Sequence, residues 1–396
     1  MNTKLLAVAV VAIVCVGAVA VYFGLSDDDN DGTITIVDGS GATITLDGPL
    51  TGLVTVNTNA PKAMKMLGLE DEVKGLCFYA SSDAKDLESW NQFKDMFPEA
   101  VHMSRISSTS ALMSGEEIID TAQVRYVLCP VSNMTLSPSS QVALEQLNIT
   151  VIRLDFNGDT AQEDLDKLAT LFGRTESVMN ALNSYLDVYN SVVDTVKTKA
   201  AEADNSDKTF LYLMSAKGGG KFYNQTSASN NLVESVYGKN ALRNIPGLDL
   251  GGVTNAAFGD TNIKEVVIAE DGSNNIDKIF VRGSSTTTDE AAALTLWKSG
   301  GSGSCALSSD YTSLSAIGSD STGKIYVFNS GLMSGPLAYI GYVLVAEACD
   351  IDTGYNVSQL ITNYNNAYGF NEDTSGCLFK ITISGGVASA SEIVII

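Results

Sequence analysis

The stretch TESVMNALNSYLDVYNSVVDTVKTKAAE, residues 175–202, decides how the rest of the chain is read. Apolar residues recur in it at Val178, Leu182, Tyr185, Tyr189, Val192 and Val196, a spacing that lays one stripe along one face of a helix. Neither Gly nor Pro interrupts it. At ~1.5 Å rise per residue the helix runs roughly 40 Å, longer than a crossover between neighbouring strands needs. The stretch therefore predicts a spine joining two lobes.

The segments on either side fit that reading. Before the spine, Thr33–Asp38 and Ala42–Asp47 alternate around Gly39-Ser40-Gly41, a hairpin pattern. Buried-strand runs follow at Gly52–Asn57, Val73–Tyr79, Val101–Ser104, Arg125–Pro130 and Thr150–Asp155. Helical segments separate most of them, at Ala60–Leu67, Ala84–Met96, Gly115–Thr121 and Ser137–Gln146, the last with Ser137 as N-cap and Pro138 at the first helical position. Strands alternating with helices predict a largely parallel sheet that receives ligands at the C-terminal ends of its strands. After the spine, strands are predicted at Thr209–Met214, Lys278–Val281 and Lys324–Phe328, with helices near Ser229–Tyr237, Asn262–Ala269, Ala291–Lys298 and Leu337–Ala348. The second half is expected to repeat the first.

Length and composition agree with two modest cores: 396 residues, 45% hydrophobic and 18% charged. The net charge of -22, with six Arg in the chain, argues against nucleic acid and against adhesion to anionic lipid, both of which need concentrated cations. Leu5 to Leu25 is an uncharged apolar run long enough to cross a bilayer core of roughly 30 Å. Lys4 precedes it and Asp27, Asp28, Asp29 and Asp31 follow, which orients the N-terminus to the cytoplasm and the remainder outside the cell. Ala18-Val19-Ala20 has the form of a signal-peptidase site, so a cleaved signal is the alternative to the uncleaved anchor that run length favours. Sequons at Asn133, Asn148, Asn224 and Asn356 accord with exposure outside the cell. Five cysteines follow the apolar run, at Cys77, Cys129, Cys305, Cys349 and Cys377; the odd number leaves one unpaired, and buried thiols are favoured over a Cys349–Cys377 bridge.

The hairpin ITIVD (34–38) … ATITLDGP (42–49), then LVTVN (53–57) and a helix ending in LGL (67–69), resembles the opening of the substrate-binding proteins for iron-siderophore, haem and cobalamin importers. The similarity continues through LNITVI (147–152), LATLFG (168–173) before the spine, YTSLSA (311–316) and GKIYV (323–327), so that it covers about residues 33–370. The resemblance implies an α/β fold of two Rossmann-like lobes bridged by a single long helix, serving an ABC permease and its ATPase. On that reading residues 1–25 are the anchor or signal, 26–32 an acidic linker, 33–160 the first lobe, 161–205 the linker with the spine, 206–370 the second lobe and 371–396 a tail. Two features depart from the family: a Gly/Ser-rich insert around Ser299–Ser309 and the strand-like tail Phe379–Ile396.

The same resemblance places a permease-docking Glu at a helix start in each lobe, matched here by Glu116 in SGEEII (114–119) and Glu265 in NIKEVVI (262–268). Bidentate pairing with permease arginines would fix orientation as well as attraction, whereas a lone helix-start Glu only favours the macrodipole. The ligand pocket is expected between the lobes. Its candidates are Asn57, Thr58, Asn59, Phe78, Tyr79, Arg105, Ser132 and Met134 from the first lobe, and Lys217, Lys221, Phe222, Tyr223, Arg282, Met333 and Ser334 from the second. Aromatic and Met side chains offer polarizable contact to a large flat ligand, and the cations orient its carboxylates or phosphates.

Other chemistries are poorly supported. His102, the only His, sits in a predicted strand, and no cluster has His/carboxylate ligand spacing, which argues against a free divalent metal and against a resident cofactor. No Gly-x-Ser-x-Gly elbow or His-Glu-x-x-His helix occurs, so no enzyme is expected. Gly218-Gly219-Gly220-Lys221 lacks the hydroxyl residue of a phosphate loop, because Phe222 occupies its place. Asp27, Asp29, Asp31 and Asp38 copy a calcium-loop spacing but lead into a strand, so a solvated acidic linker is the favoured reading. The function expected is capture of a metal chelate by a monomeric binding component; the alternative is a receptor or sensor ectodomain on the same fold.

Overall fold

A computed structural model of the chain describes residues 32–80, 82–106, 115–131, 136–157, 160–215, 221–223, 228–244, 253–254, 276–283, 287–299, 324–384 and 387–393. The apolar run Leu5–Leu25, the Gly/Ser-rich insert and the expected helix Asn262–Ala269 lie outside these residues. Among the described residues no helix is long and apolar enough to cross a membrane.

The chain opens with a hairpin of β1 (Ile34–Val37) and β2 (Thr43–Leu46). Five strands then build one fully parallel sheet: β3 (Leu53–Val56), β4 (Val73–Cys77), β5 (Val101–His102), β6 (Tyr126–Cys129) and β7 (Thr150–Arg153). Their order is β5-β4-β3-β6-β7. Alternate residues face opposite sides, and both sides are dry: Leu53, Leu128 and Ile152 enter the main core, while Val54, Val56, Val127 and Val151 form a second cluster with Ile118 and Leu144. Burial on both faces is what continuous apolar strands of a parallel sheet require.

The helices of this half are α1 (Asn59–Met66), α2 (Asp83–Phe93), α3 (Gly115–Asp120), α4 (Pro138–Glu145) and α5 (Ala161–Leu171). Ser137 caps α4 with Pro138 at its start, as the sequence predicts. The spine, α6, runs over Glu176–Glu202, with the Thr175 hydroxyl accepting the Val178 N–H at 3.4 Å. All six residues of its predicted stripe are buried, joined by Val193 and Ala200. Burying each large apolar side chain is worth about 1.5–3 kcal/mol, so tertiary packing, more than intrinsic propensity, holds this helix.

The second sheet contains β8 (Thr209–Ser215), β9 (Lys221–Tyr223), β10 (Lys239–Asn240), β11 (Val253–Thr254), β12 (Lys278–Arg282), β13 (Ile325–Phe328), β14 (Leu378–Ser384) and β15 (Val387–Glu392). It does not repeat the first. Only β10, β8, β12 and β13 pair in parallel; β9 and β11 on one side, and β14 and β15 on the other, are added by antiparallel pairing. Connection length accounts for β8–β9 and β14–β15, since strands so close in sequence can pair only antiparallel; β9–β11 and β13–β14 are brought together from distant parts of the chain. The strand-like tail is thus part of this sheet. Helices α7 (Ala228–Val236), α8 (Glu290–Ser299), α9 (Ala338–Ala348) and α10 (Val357–Tyr368) complete the half.

One apolar core runs from Leu53 and Phe78 through Tyr185 and Tyr189 of the spine to Phe280 and Tyr326 of the second sheet. Polar contacts cross the same boundary. Lys62 of α1 forms an ion pair with Glu372 and lies 6.0 Å from the Phe370 ring centre. The Tyr364 hydroxyl meets Met66 Sδ at 3.6 Å, and the Tyr185 hydroxyl donates to the Pro336 carbonyl at 2.8 Å. Cys77, Cys129, Cys349 and Cys377 are free and buried, so no Cys349–Cys377 bridge forms. Burial pushes the Cys129 thiol up to about 12, far from reactive range.

Candidate functional site

In the first sheet β3, β4 and β5 step to one side and β6 and β7 to the other, so the strand order reverses between β3 and β6. Open α/β sheets receive ligands in the crevice that this reversal leaves beyond the strand ends. The loops that flank it here begin at Asn57 and Pro130. Against them from the second half lies the turn after β13, where the Gly335 N–H donates to Asn157 Oδ1 at 3.0 Å; β12 and β13 end side by side at Arg282 and Phe328.

Asn57 turns the chain out of β3 with φ +77°, a conformation Asn tolerates better than most residues. Its Oδ1 accepts the N–H groups of Asn59 at 2.9 Å and Ala60 at 3.3 Å, satisfying donors at the start of α1. Thr58 is exposed. The Asn59 amide donates across the site to Asn157 Oδ1 at 3.1 Å. Tyr79 is 46% exposed beyond β4, whereas Phe78 beside it is 1% exposed and packs on Phe93 at 5.8 Å between ring centres. Arg105 donates to Asp83 Oδ1 at 2.5 Å and to the Ala80 carbonyl at 2.9 Å.

In the second half Arg282 is half-buried at the end of β12. Ser334 is half-buried too, and Met333 is 1% exposed, within the core. Lys221, Phe222 and Tyr223 form β9, in register with β8 and β11. Ser132, Met134, Lys217 and Glu265 lie outside the described residues, as do Asp27, Asp29 and Asp31. Glu116 occupies the second position of α3. Thr58 and Tyr79 are thus exposed and Arg105, Arg282 and Ser334 half-buried, while the Asn57 and Asn59 side chains hydrogen-bond within the first half of the chain.

A groove of about 610 Å³ flanks the first sheet, lined by Asp83, Asp86, Leu87, His102, Met103, Ser104, Arg105 and Glu117. His102 Nε2 pairs with Asp86 Oδ2 at 2.9 Å, and its ring stacks on Trp90 at 4.8 Å. The Ser104 N–H donates to Glu117 Oε1 at 2.7 Å. Among the described residues no group of three or more His, Cys, Asp or Glu side chains is placed to hold a metal ion. Asp38, the last residue of the calcium-like spacing, is 4% exposed and fully occupied: Oδ1 accepts from Ser40 N, Ser40 Oγ and Ala42 N, and Oδ2 from Arg153 N at 3.0 Å. It ties the hairpin to β7.

The residues that shape the site most firmly escaped sequence reasoning. Arg153, 3% exposed, donates to the carbonyls of Pro130, Val131 and Leu136 at 3.0, 3.3 and 2.9 Å and to Gln141 Oε1 at 2.9 Å. It thereby ties Pro130 and Val131 to Leu136. Asp155 accepts the Val131 N–H at 2.8 Å; burial raises its pKa, opposed by that hydrogen bond and by Arg153. Asp164 Oδ2 accepts from Asp155 N, Phe156 N and Thr160 Oγ1 at 3.1, 2.9 and 3.0 Å. Burial raises its pKa as well, against those bonds and Lys167. The available signal was a charged residue, Arg153, closing an otherwise apolar strand run.

No protein-family model and no curated protein sequence matches the chain. Solved structures do. A TroA-like periplasmic binding protein, FepB from Veillonella parvula, aligns with TM-score 0.57 at 14% identity over 85% of this chain and 96% of its own. CeuE from Helicobacter pylori with Ni(II) bound aligns with TM-score 0.54 at 13% identity over 86% and 98%. A periplasmic haem-binding protein from Pseudomonas aeruginosa aligns with TM-score 0.51 at 12% identity over 83% and 96%.

Proposed function

Starting from the fold that the chain shares with periplasmic binding proteins, we propose that it is the substrate-binding component of an ABC importer working outside the cytoplasm. It captures a metal chelate of the iron-siderophore, haem or cobalamin type and hands it to a membrane permease. The observation that carries this reading is the strand-order reversal of the first sheet, with the turn after β13 of the second half held beside it by the Gly335 N–H on Asn157 Oδ1. Such a crevice holds ligands without needing a nucleophile or a metal cluster. In the cleft Tyr79 supplies an exposed aromatic face, Arg105 and Arg282 the cations, and Thr58 and Ser334 the hydroxyls, joined by Ser132, Met134, Lys217, Lys221, Phe222 and Tyr223 from the adjoining segments. The haem and Ni(II) named for two of the aligned structures support this ligand class.

Leu5–Leu25 holds the protein at the membrane in this reading, with Glu116 and Glu265 meeting permease arginines. The test is a thermal-shift screen with haem, cobalamins and ferric siderophores. A saturable rise in melting temperature with one of them supports the reading. No shift with any of the three classes, for protein that melts cooperatively, counts against it.

A further inference from the structure

Asn157 lies between β7 and α5, and its Oδ1 accepts two hydrogen bonds, one from each half of the chain. Asn59 Nδ2, at the start of α1, donates at 3.1 Å; the backbone N–H of Gly335, in the turn before α9, donates at 3.0 Å. Gly335 adopts φ +69°, and a Cβ built on it would stand 2.7 Å from Asn59 Oδ1, so the Gly335 backbone approaches the Asn59 side-chain amide as closely as glycine allows. Farther along α1, Lys62 pairs with Glu372 and Met66 with Tyr364. The whole helix therefore lies along the second half. Its cleft end is held by the Asn157 amide, while Lys62 and Met66, roughly 5 and 10 Å farther along at ~1.5 Å per residue, are held by the other two contacts.

We infer that Asn157 is the positioning residue that sets the aperture of the cleft. A carbonyl oxygen with two lone pairs can serve both donors at once, so one side chain locks Asn59 and Gly335 at a single separation. Removing it leaves the Lys62 and Met66 ends attached, and the cleft end becomes free to pivot about them. The backbone role of Asn157 is separate, since its own carbonyl accepts from Thr160 N at 3.0 Å whatever the side chain. The significance of the aperture rests on the cleft being the ligand site, but the test needs no ligand, so its outcome and that of the chelate screen are independent.

Only the acceptor matters, which yields a sharp comparison. Asn157→Asp keeps an oxygen for both donors, whereas Asn157→Leu has nearly the same shape and none. Spin labels at Asn91→Cys in α2 and Ala291→Cys in α8, both exposed, report the distance between halves once Cys15 and Cys305 are replaced by Ser; the other four thiols are buried. In pulsed dipolar measurements the unliganded wild type and Asn157→Asp are expected to share one narrow distribution, and Asn157→Leu to broaden it or move its mean. If Asn157→Leu does not fold by circular dichroism, Asn157→Ala, which also lacks the acceptor, carries the comparison and is expected to broaden the distribution likewise. A wild-type distribution in the folded Leu variant overturns the inference. So does Asn157→Asp behaving like Leu.

Discussion

Replacing Arg153 by Met keeps the aliphatic stem and removes the guanidinium that organises the loop after β6. Two short bonds are lost to buried backbone carbonyls, Pro130 at 3.0 Å and Leu136 at 2.9 Å, with a longer one to Val131 at 3.3 Å. Gln141, half-buried, can turn to water. Each net bond from a charged donor is worth about 1.5–3 kcal/mol, so the two short ones sum to about 3–6 kcal/mol. Part is returned because no cation need be desolvated, and losing one partner in a buried charged arrangement typically costs about 3–5 kcal/mol in total. The expected loss is therefore about 3–5 kcal/mol, a fall of about 150-fold to several thousandfold in the folding equilibrium constant. Urea unfolding followed by circular dichroism measures it, with the slope m unchanged if only stability alters. Amide exchange at Val131, whose N–H donates to Asp155, should accelerate in the same variant. A loss below about 1 kcal/mol at unchanged m would refute the clamp, because at least two orphaned carbonyls cannot be that cheap.

Three further outcomes are expected. Burial raises the Asp164 pKa above its ordinary value of 3.8, so its contribution to stability is complete below that value and is lost as pH rises through the folded-state pKa; Asp164→Asn should flatten that part of the melting-temperature profile, and an unchanged profile would count against it. Replacing Glu116 and Glu265 together by Ala should abolish uptake in cells that hold the permease while leaving chelate affinity intact, and wild-type uptake would remove them as docking residues. A chain beginning at Gly32 should fold as a monomer by size-exclusion chromatography with light scattering, since the hairpin and both sheets lie beyond it; native aggregation would argue that the apolar segment serves the fold.

Local periodicity was enough to predict the spine, because burial of one helix face demands the 3.6-residue spacing wherever the partner surface comes from; Val178 through Val196 all went inside. The alternation of strands and helices likewise determined the parallel first sheet and Ser137 as a cap. Whether a strand-end residue faces the cleft or the core is a different kind of fact. Phe78 and Tyr79 are neighbours of similar chemistry, yet one packs on Phe93 and the other meets solvent, and that choice depends on where α2 lies. The mixed pairing of the second sheet was decided by contacts across up to 68 positions of chain, from Phe328↔Leu378 down to Phe379↔Glu392 and back to Leu211↔Ile279. Asp38 shows the same limit, since its spacing resembled a calcium loop until its carboxylate was found closing a turn and holding Arg153 N. Asn59 and Asn157, 98 positions apart, carried no local signal at all. Sequence pattern records which faces must leave water; which polar group meets which is set only when distant segments are brought together and every buried donor must find its acceptor.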